Sequence, residues 1–299
     1  MNNPKEIQNK PKQLFCRVMM HLFGRMMSDK TFIKLDYCLK MGKFPNLKNP
    51  QTYNEKLQWL KLNYLGEEQA PMVDKYEAKF FVNKVLGGRY IIPTLGVWDS
   101  FDEIDFASLP KEFVLKCTHD SASTVIVKDK DAMDVMAVRE KLESCLKRNF
   151  YYAHRERPYK YIKPRIIAEE LMVDESGTEL KDYKFFCFNG EPKMLFIATD
   201  RPFDTRFDYF DTDFNHLPFR QGHPNATKEI KKPEGFEEML HVAAKLSAGI
   251  PHVRVDLYNV NGHIYFGEMT FTHYSGNIPF EPEEWDYKLG EWLELPKNQ

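Results

Sequence analysis

The stretch His252-Val-Arg-Val-Asp-Leu-Tyr-Asn-Val-Asn-Gly-His-Ile-Tyr-Phe-Gly-Glu-Met-Thr270 decides how this chain is read. Apolar residues alternate on both sides of Asn261-Gly262, which predicts two antiparallel strands joined by a tight turn. Val253, Val255, Leu257, Ile264 and Phe266 mark the hairpin as part of a core, so Arg254, Asp256 and Glu268 need a reason to be there. Side chains alternate along a strand: Arg254 and Asp256 share one face, and Glu268 and Thr270 share a face on the return. A two-residue Asn261-Gly262 turn parts Asp256 from Glu268 unless a bulge intervenes. A three-residue loop Val260-Asn261-Gly262, with the glycine left-handed, puts both carboxylates on one face. Carboxylates so placed repel unless a cation lies between them. Hard oxygen donors beside an arginine suggest Mg²⁺ holding a phosphate. A surface hairpin with solvated charges is the other reading, and the hairpin alone leaves both open.

The chain has 299 residues, 42% hydrophobic and 29% charged, a soluble globular composition with room for one large domain or two to three small ones. A net charge of -2 provides no basic excess for nucleic acid. Cys16, Cys38, Cys117, Cys145 and Cys187 are widely spaced with no CxxC pair, which fits reduced thiols in a cytoplasm. No apolar run reaches the roughly 20 residues that span a bilayer. Residues 14–27 are apolar but interrupted by Arg17, His21 and Arg25, without a small-residue cleavage site, so they do not read as a signal peptide. A basic amphipathic helix over residues 11–28 docks either on its own protein or on the inner face of a membrane.

Residues 1–10 are polar and expected to lack order. Two helical segments follow, the second opened by Thr52-Tyr-Asn-Glu55, a capping-box spacing. Asp74 reads as the N-cap of a helix through Val85 to Gly87-Gly88, and residues 90–93 as a short strand. Strands are expected at 113–117, 124–127 and 166–173, with a helix over 131–148 and a turn at 175–177. Asn189-Gly190 signals a hairpin between residues 182–188 and 194–198. A helix over 236–248 leads into the opening hairpin. Antiparallel pairs mixed with helices make the fold class α+β.

Several constellations carry chemistry. Lys116 precedes the hydroxylic loop Thr118-His-Asp-Ser-Ala-Ser123, whose amides and hydroxyls suit phosphate oxygens. No P-loop or Rossmann glycine signature is present. Glu169-Glu170-Leu171-Met172 sets two acids in an apolar strand: an exposed edge, or a hinge that hydrogen-bonds a purine. Asp182 and Lys184 share a strand face, as a surface ion pair or as part of the same nucleotide cleft. His119, His263 and His273 lack metal-ligand spacing. Asp211-Thr-Asp213 fits the Asp-x-Asp pattern of a glycosyltransferase but sits in a turn-like segment.

Taken in order, Asp74-Lys75, Phe113-Val-Leu-Lys116, Ala168-Glu-Glu-Leu-Met172, Asp182 to Gly190, Arg254-Val-Asp256 and Glu268-Met-Thr270 resemble the ATP-grasp superfamily, most closely its TupA-like branch. The resemblance spans about residues 45–290, with Asn49 to Trp59 near its front. It implies ATP held between two antiparallel-sheet α+β subdomains. By resemblance Lys75 and Lys116 reach the phosphates, and the loop with His119, Ser121 and Ser123 closes over them. Glu169, Glu170 and Met172 match the adenine hinge, Asp182 the ribose acid, and Lys184 lines the same cleft. Asp256 and Glu268 match the Mg²⁺ carboxylates, and Arg254 the arginine facing the reacting acyl group. Two positions depart from the pattern. Thr270 stands where the family has a ligating Asn, so Asn277 or water completes the shell, and the phosphate loop lacks the usual glycines.

The implied reaction transfers the γ-phosphoryl group of ATP to a carboxylate, and an amine then attacks the acyl phosphate. The branch resemblance implies a cell-surface glycan or its precursor as the carboxylate, joined to an amino acid. The expected divisions are a helical extension at 1–45, a helical linker at 46–112, a small lid at 113–175 and a catalytic part at 176–299.

Overall fold

The computed structural model describes residues 11–174, 180–200 and 204–297. The polar stretch 1–10 and the turn expected at 175–177 lie outside the described residues. Three long helices stand at the front, where two segments were expected: α1 (Pro11–Phe23), α2 (Asp29–Met41) and α3 (Tyr53–Asn63). Ser28 caps α2 by accepting from the Thr31 amide at 3.3 Å, and left-handed Gly42 ends it. The capping box at α3 forms as read, Thr52 accepting from the Glu55 amide and Glu55 from the Thr52 amide.

After α4 (Ala70–Val73) comes α5 (Glu77–Leu86). Asp74 serves its start from three residues ahead, accepting from the Tyr76 and Glu77 amides at 2.8 Å each. The strand expected at 90–93 does not form: a 3₁₀ turn ends at Tyr90 and Ile91 makes one parallel bridge to Phe266. Pro93 has no N–H to give a ladder, so β1 runs over the next residues, Thr94–Trp98.

β1, β2 (Phe113–Cys117), β3 (Val125–Val127) and β4 (Ile166–Glu169) make the first sheet, order β1-β4-β2-β3, antiparallel throughout. The division expected between residues 112 and 113 therefore cuts β1 from its own sheet. Between β3 and β4 lie α6 (Val135–Leu146) and the single turn α7 (Tyr151–His154). α6 starts later than expected because Asp129 caps a separate 3₁₀ turn and Asp134 caps the helix. β4 stops at Glu169, short of Val173: the Glu170 amide bonds Pro93 O at 3.2 Å, where proline returns nothing.

The second sheet begins with β5 (Asp182–Phe188), β6 (Glu191–Thr199) and β7 (Arg206–Asp211). A short β8 (Arg220–Gln221) and helix α8 (Phe236–Ser247) follow, then the opening hairpin as β9 (His252–Val260) and β10 (His263–Thr270). The order is β10-β9-β5-β6-β7. β11 (Phe280–Glu281) pairs with β8, and α9 (Glu284–Trp292) ends the fold. Phe185, Cys187, Val253, Val255 and Leu257 point to α8 and share a core with its Val242, Ala243 and Leu246. The first sheet has its own core around Phe113, Leu115, Leu142 and Ile166. On the other face of the second sheet, α3 covers one end by laying Tyr53 against Phe186 and Phe188. The charged residues occupy the part that α3 leaves open.

α1 differs from the rest. Cys16 packs inward beside Cys38, while Leu14, Phe15, Val18, Leu22 and Phe23 are exposed. Among the described residues no helix is long and apolar enough to cross a membrane.

Candidate active site

The hairpin solves its register problem by the bulge. Val260 pairs with His263, so the turn is the two-residue Asn261-Gly262, both residues with positive φ (52° and 84°). That turn alone would part the carboxylates. The register then slips between Phe266 and Glu268, leaving Gly267 out and setting Glu268 opposite Asp256 and Thr270 opposite Arg254. Glycine suits the slip, because a Cβ there would meet the Tyr258 ring at 3.0 Å and the Asp256 carbonyl at 3.1 Å. Of the two routes the sequence left open, the two-residue turn with a bulge forms and the three-residue loop does not; the shared face is present.

Arg254 organises that face. Its Nε and Nη2 donate to the two Asp256 oxygens at 2.7 Å each, and Nη2 also reaches Glu268 Oε1 and Thr270 Oγ1 at 3.0 Å. Nη1 lies 2.7 Å from His273 Nδ1, which serves as acceptor because burial beside Arg254 keeps that ring neutral. On β5, Lys184 bonds Asp256 and stands 3.4 Å from Asp182. Burial would raise Glu268, but Lys184, Lys75 and Arg254 outweigh it and hold the carboxyl well below its usual range. Burial pushes Asp256 up, against the pull of Arg254 and Lys184. Thr270 is a clamp: its hydroxyl accepts from Arg254 and donates to Glu268 at 3.2 Å. The Asn277 amide nitrogen donates to Asp36 and its oxygen accepts from Gln58, so both ends are taken.

Across the cleft, the first sheet and α5 together carry a buried triad. Glu169 lies 2.5 Å from Lys116 and 2.6 Å from Lys79, whose ammonium also holds Ile92 O and Thr94 Oγ1 at 2.7 Å. Nothing in the sequence singled out Lys79, a lysine on an ordinary helix face. Glu169 thus faces two lysines, while Glu170 is exposed and Met172 half-buried beyond the end of β4. Lys75 reaches the Asp120 carbonyl; Ser123 donates to Asp120 and accepts from the Cys117 amide at 2.7 Å, which ties the loop down. Ser121 stays exposed at the cleft, but His119 turns away and puts Nε2 on the Cys145 and Arg148 carbonyls at 3.2 and 3.0 Å. The Tyr258 phenol shows the two sheets converging. Asp182, burial, then Glu268, Asp256 and Glu169 all raise its pKa.

Lys75, Ser121, Arg254, Glu268 and Thr270 line one cleft of about 370 Å³. Its far end is built by Asn277, read in the sequence as a metal ligand, and by four residues the sequence did not flag: Lys40, His154, Glu156 and Ser275. There Thr272 and Ser275 donate one hydroxyl each to Glu156, and Tyr274, Ser275 and Gly276 run consecutively left-handed. Backbone strain of that kind collects at functional sites. A larger hollow, about 570 Å³, opens around the hairpin tip and gathers none of the predicted residues. Asp211 caps its own turn, accepting from the Asp213 and Asn215 amides, as the sequence suggested for Asp211-Thr-Asp213. Among the described residues no three His, Cys, Asp or Glu stand ready to hold a metal. The donor set of Asp256, Glu268 and the Thr270 hydroxyl still fits Mg²⁺, which takes one or two carboxylates and completes its shell from phosphates and water.

Two antiparallel sheets closing on a cleft, lysines on one wall and carboxylates on the other, define an ATP-grasp fold. The chain belongs to the TupA-like ATP-grasp family, whose description matches residues 55–294. Solved structures with a related outline include D-alanine–D-alanine ligase from Helicobacter pylori, at 14% identity and TM-score 0.43, covering 81% of this chain and 68% of that one. L-amino acid ligase from Bacillus licheniformis has 13% identity and TM-score 0.44, covering 97% of this chain and 64% of that one. N5-carboxyaminoimidazole synthase from Aspergillus clavatus has 14% and 0.43, covering 78% and 54%. This chain thus spans less than two thirds of the last two. Among curated proteins none matches.

Proposed function

We propose that the chain is an ATP-dependent carboxylate–amine ligase that makes an amide through an acyl phosphate. The observation that carries this reading is the bulge at Gly267, which sets Glu268 opposite Asp256 with Arg254 bonded to both. ATP lies between the sheets, its phosphates met by Lys75 and Lys116, its ribose by Asp182 and its base near the end of β4. Lys184 lines the same pocket, and Ser121 closes over the phosphates. His119 and Ser123 support the loop from behind, and Glu169 holds Lys116 and Lys79 in place. Asp256, Glu268 and Thr270 hold Mg²⁺, which supplies neutralisation of phosphoryl charge when bound. Arg254 faces the acyl group and stabilises the oxyanion formed when the amine attacks. The closed cleft keeps water from the acyl phosphate.

The carboxylate in this reading belongs to a cell-surface glycan or its precursor, and the enzyme works in the cytoplasm at the inner face of the membrane. A screen of uronic acids against amino acids, read as ADP release and product mass, tests it. Asp256→Asn and Glu268→Gln each lower turnover by at least about a hundredfold; wild-type activity in either removes the metal assignment. Turnover of a sugar nucleotide without ATP would point to a glycosyltransferase, and ATP binding without turnover to a non-catalytic protein.

A further inference from the structure

The cleft that Arg254 lines continues to an end made by α2, α7 and the loop after β10. There α7 brings His154 to the lining with its side chain about 33% exposed. Its Nδ1 lies 2.8 Å from Asp36 Oδ2. Asp36 sits on α2, is 3% exposed, and takes a second bond from the Asn277 amide at 2.8 Å. A carboxylate only accepts, so Nδ1 carries the hydrogen, and in the neutral ring the lone pair is then on Nε2. Among the described residues Nε2 has no hydrogen-bond partner, and the ring lines the cleft.

Other ionisable groups nearby are committed. Both Glu156 oxygens accept hydroxyls, from Thr272 and Ser275. Lys61 is buried under the loop, donating to the His154 and Ser275 carbonyls at 3.2 and 3.0 Å. Lys40 brings a positive charge to the lining. An attacking amine arrives protonated at neutral pH and must lose a proton before it can form a bond.

We propose that His154, oriented by Asp36, is the base that takes the proton of the incoming primary amine. This rests on the ligase reading. The neutral imidazole accepts one proton at Nε2 from the ammonium, and the freed lone pair forms the C–N bond to the acyl carbon. The C–O bond to phosphate breaks, and phosphate leaves with that electron pair and the second amine proton. The third stays on the amide. Asp36 lies on α2, ahead of residues 55–294 that the family matches.

Hydroxylamine separates the steps, because it is neutral at pH 7 and traps an acyl phosphate without a base. The full chain is given ATP, Mg²⁺ and glucuronate or galacturonate, with either hydroxylamine or an amino acid from a panel of twenty. His154→Gln is expected to lower amide formation by about 10²-fold or more, seen in kcat, while hydroxamate formation stays within about threefold. Asp36→Asn is expected to lower the amide rate in the same direction. Amide formation at the wild-type rate in His154→Gln, or equal loss of both products, overturns the proposal. No hydroxamate from the unchanged protein overturns the ligase reading, and this proposal with it.

Discussion

Glu169 holds two lysines from two different elements, Lys79 on α5 and Lys116 on β2. Burial works against its charge, but Lys116 and Lys79 keep its pKa below the usual value, so it stays ionised. Glu169→Gln leaves two buried ammonium groups short of a partner and is expected to destabilise by about 3–5 kcal/mol. A shift in the urea midpoint reads this; an unchanged midpoint would show that the triad contributes nothing net. At this scale the sequence was legible in part. It named Lys116 and Glu169 but gave them separate jobs, since a pair across strands leaves no spacing to read. Thr270 was flagged as a weak ligand; the second role of its hydroxyl, bonding both Arg254 and Glu268, needed coordinates. Lys79, Asp36 and the pair His154 and Glu156 come from three segments, and only folding puts them near the cleft.

Elements were legible where pattern and capping agree. The box at Thr52, the Asn189-Gly190 hairpin and the alternating strands stand as read, because each is settled within a few residues. The misses have tertiary causes. β1 was missed and β4 drawn too long, since each one's limit is set by the other across Pro93. The hairpin register depended on a single unpaired glycine. α1 is an element whose use lies outside the chain's own core. It turns five large apolar residues to solvent and carries Lys12 and Arg17 without an acid, and Arg25 just beyond its end shares a surface hollow with Lys147 and Arg148. Such a face fits an anionic bilayer, with polar heads meeting the cations and apolar residues entering the interface. The full chain is expected to float with vesicles containing about a third phosphatidylserine and not with neutral ones, the effect fading with salt. Phe15→Glu with Leu22→Glu is expected to abolish flotation. Equal recovery with neutral vesicles, or none with either, would sink the membrane reading.

The whole molecule is joined at His252, which accepts from Tyr53 of α3 at 2.8 Å through Nε2 and donates to Cys187 O of β5 at 2.9 Å. Burial pushes its pKa down to about 3. The folded protein keeps it neutral, whereas the unfolded chain takes up a proton below about pH 6.5. Its contribution is therefore complete above that pH and is lost as pH falls toward 3, at about 1.4 kcal/mol per unit. Buried His273, also held neutral, acts in the same direction. Between pH 6.5 and 5 stability is expected to fall by about 2 kcal/mol for His252 alone. His252→Gln flattens that slope in urea titrations; an identical slope refutes the assignment. The α+β class was legible because it follows from strand pairing, and the two-sheet plan came from the family resemblance, while the cleft's second end was not legible, being made by segments with no pattern of their own.

The loop from His273 to Gly276 holds its left-handed run against α3, where a Cβ on Gly276 would come within 2.5 Å of Gln58. It follows the strand that carries Glu268 and Thr270: His273 still holds Arg254, while Ser275 and Gly276 turn to Glu156 and α3. The molecule thus splits inheritance in two. In the ligase reading, a lineage can rewrite α2, residues 150–159 and the turn after His273, and so trade one acceptor for another, while His273 and the charged hairpin it braces stay as they are.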